Sequence, residues 1–156
     1  MKVPIFKRLI PSVFKKYIFF SNNYFKEKKI EGIKYLLDTR HLIDRNFYLR
    51  ENYEDDLFFL AKDIIIRNKV NYFLDIGSCW GIYSLRLSKT KKLKIMSFDP
   101  IYRNISRLKQ MIKINNLRNI TTYHTALGDK IGKVKFYGLE EFTPNYTLYG
   151  KGCRHN

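Results

Sequence analysis

Residues 73–81 read FLDIGSCWG, an apolar run that ends in a carboxylate, Asp75, and opens into two glycines four residues apart, Gly77 and Gly81. A second acid, Asp99, closes another apolar run 24 residues after Asp75. In a doubly wound α/β sheet, ligands bind at the carboxyl ends of the strands. The first turn there needs glycine for a tight corner and close backbone approach, and an acid at the end of the next strand accepts hydrogen bonds from a ribose diol. A glycine turn and an acid at neighbouring strand ends therefore make a nucleoside site.

The spacing narrows the choice of nucleoside. A G-x-G-x-x-G fingerprint starting at Gly77 needs glycine at positions that hold Cys79 and Ile82, and GxxxxGK[ST] fails because Ile82 and Tyr83 follow Gly81. The turn lacks the extra bare amides that a pyrophosphate wants. The negative charge of Asp75 would repel a pyrophosphate but suits a cationic sulfonium, which favours S-adenosylmethionine as cofactor. Other reactive side chains fit bland roles better. Cys79 has no histidine near it in sequence to activate a thiolate, His124 is a lone histidine at a strand end, and Trp80 reads as packing.

The positioning elements follow from periodicity. Residues 52–68 predict a helix capped by Asn52, with Leu57, Leu60, Ala61, Ile64 and Ile65 on its buried face. A buried strand over 72–76 leads through the glycine turn into a helix over 82–89. The pattern repeats with a strand over 93–98, a break at Asp99-Pro100, and a helix over 104–115 with Ile105, Leu108, Met111 and Ile112 on one face. A third strand covers 120–124, rich in β-branched residues, and a short edge strand is expected over 134–137. Such alternation implies parallel strands joined by right-handed crossovers.

The stretches FLDIGSCWGIYSL, SFDPIYRN and ALGDKIGKVKFY, taken in order, resemble the FkbM family of S-adenosylmethionine-dependent methyltransferases over residues 53–137. The resemblance implies a Rossmann-like class I methyltransferase fold of the α/β class, with a partial parallel sheet in strand order 3-2-1 and an N-terminal helical extension. It implies that Asp75, Gly77, Ser78 and Gly81 surround the methionine part of the cofactor and that Asp99 takes the ribose hydroxyls. Asn104 would brace the loop after Pro100, and the backbone around Ala126 would flank the adenine. Cys79 stands where the family has asparagine. The implied reaction is O-methylation of a sugar or other small-molecule hydroxyl, for which the sequence shows no base.

Composition sets the remaining expectations. A chain of 156 residues, 45% apolar and 16% aromatic, suits a packed domain, and two distant cysteines, Cys79 and Cys153, suggest neither zinc nor a disulfide framework. The net charge of +16 comes from 20 lysines and 10 arginines among abundant Ile, Asn, Tyr and Phe, a mixture that AT-rich coding produces by itself, so nucleic acid is not the expected partner. The first 35 residues hold nine Lys or Arg interleaved with aromatics, which suits peripheral membrane contact or a helical extension packed on the domain, and no run is long enough to span a bilayer.

The expected organisation is a basic, aromatic-rich extension over 1–50 and an incomplete methyltransferase domain over 51–156, in the cytoplasm, with a small-molecule or glycan acceptor. The sheet implied by the resemblance continues beyond three strands, so the chain reads as truncated, with self-association expected through an exposed sheet edge. A non-catalytic methyltransferase-like binding module, or a basic RNA-binding or RNA-modifying protein, are the alternative readings.

Overall fold

A computed structural model describes residues 24–129 and Gly132. The expected strand over 134–137, Cys153 and residues 1–23 of the basic extension lie outside the described residues. The chain begins with an antiparallel hairpin, β1 (Phe25–Ile30) and β2 (Ile33–Asp38), in which Ile30 faces Ile33 across a two-residue turn. Glu31 and Gly32 in that turn have φ of 49° and 76°, the two positive angles of a type I′ hairpin, whose twist matches that of its strands.

After the hairpin come α1 (Leu42–Arg50), α2 (Asp55–Arg67), β3 (Tyr72–Ile76), α3 (Ile82–Leu87), β4 (Lys94–Phe98), α4 (Tyr102–Ile114) and β5 (Ile120–Tyr123). Strands β3, β4 and β5 lie side by side in that order, both pairs parallel, with Asp75 opposite Ser97 and Phe98 opposite Tyr123. Three parallel strands with intervening helices form an α/β sheet of Rossmann-like type.

Two expectations need correction. The N-terminal extension was expected to be helical, but residues 25–38 are the hairpin. Along β1 Phe25, Glu27 and Lys29 are exposed while Lys26 and Lys28 are half-buried on the side of buried Ile30, and Ile33, Tyr35 and Leu37 of β2 are buried, a two-residue period that the mixed basic and aromatic composition obscures. These side chains, with Phe47 of α1, join one core with Trp80, Leu85 and Leu108, so the core does not divide at residue 50.

The second correction concerns α2. The helix starts at Asp55, after Glu54 in the left-handed region with φ 48°, and Asn52 does not cap it. Its buried residues are Phe58 and Ile65, whereas Leu57, Leu60 and Ile64 are 56%, 56% and 49% exposed. The reason lies in Arg86, a buried arginine of α3. Its guanidinium stacks 3.7 Å from the Phe58 ring and bonds to Asp55, Glu31 and the Tyr53 carbonyl, turning that side of α2 inward. Charge partners on the hairpin turn and on α2 offset the cost of burying Arg86. Among the described residues, no helix is long and apolar enough to cross a membrane.

Candidate cofactor site

The candidate site is built where β3 and β4 end. The Phe98 carbonyl, at the end of β4, accepts hydrogen bonds from the Gly77 and Ser78 amides at 2.9 and 3.0 Å, folding the turn over the neighbouring strand. Gly77 and Gly81 have φ of 72° and 83°, and Cys79 between them has φ 50°. The Cys79 amide donates to Asp99 Oδ2 at 2.8 Å, and the Gly81 amide to the Ser78 carbonyl at 2.7 Å. The amides of Gly77, Ser78, Cys79 and Gly81 are thus all engaged within the protein. These four amides are therefore not free for a phosphate, the usual ligand of bare amides at such a turn.

The two glycines do different work. A Cβ placed on Gly77 meets nothing within 4 Å, so this position opens onto free space. A Cβ on Gly81 would lie 2.5 Å from Leu108 Cδ1, so the close approach at Gly81 is that of α4 packing against the turn and not of a ligand. Gly81 therefore shapes the site from behind. Between the glycines, Ser78 is 5% exposed and its Oγ is buried without a hydrogen-bond partner. A buried hydroxyl left unpaired costs free energy unless something arrives to pair with it.

Both acids are held by the protein. Asp75 Oδ2 accepts from the Ser84 hydroxyl at 2.5 Å and the Ser84 amide at 3.2 Å, and the Ser84 hydroxyl lies 2.6 Å from that of Ser97 on β4. Burial pushes the Asp75 carboxyl above the usual range, the Ser84 bonds pull it back, and the nearby charge of Asp99 adds to the rise. Asp75 thus pins the first turn of α3 to the end of β3.

Asp99 is 5% exposed and accepts from the Cys79 amide, the Ile101 amide at 2.8 Å and Asn104 Nδ2 at 3.1 Å. An ionised carboxylate has about four acceptor positions, so one remains for a ligand. Asn104 lies in the first turn of α4 and orients Asp99. Ala126 is exposed in the irregular segment after β5, where the Thr125 hydroxyl donates to its carbonyl at 3.1 Å. The Cys79 thiol is pushed up to about 11 by burial, with Asp99 adding to the rise, so it stays protonated at neutral pH. His124 Nε2 lies 2.9 Å from the Pro100 carbonyl, tying the end of β5 to the loop after β4.

Sequence reasoning missed the layer around these residues. Ser84 and Ser97 form the buried hydroxyl pair behind Asp75, and a serine facing a strand-end acid is the only signal of it in the chain. Arg107 of α4 pairs with Asp44 of α1, donates to the Leu36 carbonyl at 2.7 Å and stacks 4.9 Å from the Trp80 ring, so hairpin, α1 and glycine turn are clamped together. Buried Asp38, at the end of β2, receives both Arg40 and Arg103. Burial alone would raise its carboxyl, but the Arg40 hydrogen bonds and charge hold it below its ordinary value.

No protein-family model matches the sequence, and no curated protein matches it either. Solved structures do. TYW2 from P. horikoshii in complex with MeSAdo superposes with a TM-score of 0.52 at 16% identity, covering 83% of this chain and 53% of that one. TYW2 from M. jannaschii in complex with AdoMet gives 0.50 at 16% identity, covering 66% and 44%. The chain thus spans about half the length of the solved structures it matches. At this identity the likeness is one of fold, and the fold is a Rossmann-like α/β sheet.

Proposed function

We propose that the chain binds S-adenosylmethionine at the glycine turn and serves methyl transfer to a hydroxyl of a sugar or another small molecule. The observation that carries this is the buried, unpaired Ser78 hydroxyl beside the open space at Gly77, at the carboxyl ends of two parallel strands. The residues fit that cofactor. Ser78 Oγ can pair with the polar amino-acid end, Asp99 has one acceptor position left for a ribose hydroxyl, and a turn with four of its amides already engaged suits a ligand without phosphates. The solved structures sharing the fold were crystallised with AdoMet and MeSAdo, which supports the same reading.

Bound S-adenosylmethionine would supply an activated methyl group on a sulfonium. The chain's own part is to orient and to exclude water. Ser84 and Ser97 fix Asp75, Asn104 fixes Asp99, and the Phe98 carbonyl fixes the turn, so the ligand meets groups already locked in place. The methyl acceptor as a hydroxyl compound rests on the FkbM-like motifs. A second reading is a binding module that keeps the cofactor without transfer. It is favoured by the Cys79 thiol, which stays protonated and is no ready base.

Calorimetry with S-adenosylhomocysteine tests the site. Wild type should bind, and Ser78→Ala should weaken binding by about 1.5 to 3 kcal/mol, the range for a hydrogen bond to a charged group. Equal affinity in the two proteins would remove Ser78 from the site. Transfer of labelled methyl to hydroxyl acceptors then separates the enzyme from the binding module.

A further inference from the structure

At the opposite end of the sheet from the glycine turn, where β3 and β4 begin, the C-terminus of α2 and the loop before β4 enclose a recess of about 660 Å³. Five exposed lysines line it, Lys62, Lys69, Lys89, Lys91 and Lys92, over a floor that includes Ile65 and Val70. The carboxylates nearby are already paired, Asp63 with Arg67 and both Glu31 and Asp55 with Arg86, which leaves one negative charge against the five lysines. Lys89 donates to the Glu31 carbonyl at 2.6 Å, and none of the other four lysines is in an ion pair with a described residue. Lys69 and Lys92 sit at φ of 51° and 63°, positions where glycine is the ordinary choice. The recess therefore holds a surplus of positive charge that the fold does not use.

We propose that this end of the molecule docks on an anionic lipid surface. On α2, Phe59, Lys62 and Ile66 recur at spacings of three and four residues, Lys69 follows just past the end of the helix, and Phe59 and Ile66 are 53% and 57% exposed. The stripe thus sets Lys62 between two exposed apolar side chains beside the recess lysines, a composition that suits a helix lying in a membrane interface with its lysines on headgroup phosphates. A nucleic acid fits less well. No aromatic side chain lines the recess to stack a base, its one arginine, Arg86, is committed to Glu31 and Asp55, and the other five cations are lysines, point charges without the forked geometry with which arginine grips a phosphate. Docking at this end leaves the glycine turn facing away from the bilayer.

Co-sedimentation of the full chain with phosphatidylcholine vesicles, with and without about 30% phosphatidylserine, tests this, since anionic headgroups attract surface lysines. Wild type should bind the anionic vesicles. Replacing Lys62, Lys69, Lys91 and Lys92 together by Gln should lower the partition coefficient at least about tenfold, while Lys109→Gln with Lys113→Gln, on the exposed side of α4, should leave it unchanged. The basic segment before residue 24 is common to all variants, so the difference reports the recess. Ile66→Asp, at an exposed position, should also weaken binding and serves if the quadruple variant does not fold. Unchanged vesicle binding in the quadruple variant or in Ile66→Asp would overturn the proposal. So would no binding by wild type, or a quadruple variant that loses duplex RNA binding but keeps vesicle binding.

Discussion

Asp75 shows how a strand-end acid serves the site without touching a ligand through both oxygens. Its Oδ2 is occupied by Ser84, and burial raises its carboxyl. An acid raised in the folded state stabilises the fold fully below its unfolded value of about 3.9, and that contribution is lost as pH rises through the folded value. The stability advantage of wild type over Asp75→Asn should therefore shrink between about pH 4 and neutrality, read from urea unfolding at both ends. An advantage that grows toward neutrality would mean that the Ser84 bonds outweigh burial. Asp38 has the opposite sign, because its lowered carboxyl contributes stability that is lost as pH falls. The types and spacing of Asp75, Gly77, Gly81 and Asp99 were legible in the sequence. That Gly81 serves Leu108, and that Cys79 takes a left-handed angle which asparagine adopts more readily than cysteine, became clear only with the backbone in place.

Between elements, the two glycines separate packing from binding. Gly81→Ala puts a methyl group against Leu108 at a left-handed φ and should cost about 2 to 4 kcal/mol of stability, overpacking plus backbone strain. Gly77→Ala meets only the backbone term and should cost about 1 to 2 kcal/mol, yet it narrows the open space and should weaken S-adenosylhomocysteine binding. Denaturant unfolding and calorimetry on both variants check this, and equal stability losses would contradict the division. The order of strand, turn and helix from residue 72 to 123 could be read from periodicity because each parallel strand is a short apolar run and each helix has one dominant stripe. On α2 that failed. Its sequence carries two apolar stripes, and which one is buried depends on Arg86, a residue whose burial no local pattern announces. The hairpin was missed because Glu31-Gly32 is a weaker turn signal than Asn-Gly, and the lysines of β1 masked its alternation.

Taken whole, the molecule joins the hairpin, α1 and the sheet in one core while leaving another surface bare. Among the described residues β3 pairs only with β4, and its Tyr72, Leu74 and Ile76 are 55%, 48% and 62% exposed, as are Leu57, Leu60 and Ile64 of α2 at 56%, 56% and 49%. An open strand edge with exposed apolar side chains favours association with another chain. Light scattering on the purified chain should show self-association, and Leu74→Thr with Ile76→Thr should reduce it. A monodisperse monomer at high concentration would contradict this.

The central claim is that S-adenosylmethionine lies over the glycine turn at the carboxyl ends of β3 and β4, and amide chemical-shift mapping of the ¹⁵N-labelled full chain during titration with S-adenosylhomocysteine tests it most directly. The predicted result is a saturable set of shifts confined to Gly77, Ser78 and Cys79, to Asp99 and Asn104, and to Thr125, Ala126 and Leu127, with Lys91 and Lys92 at the far end of the sheet unmoved. A folded chain that shows no shifts at saturating ligand, or shifts that avoid Gly77 and Ser78, would contradict it.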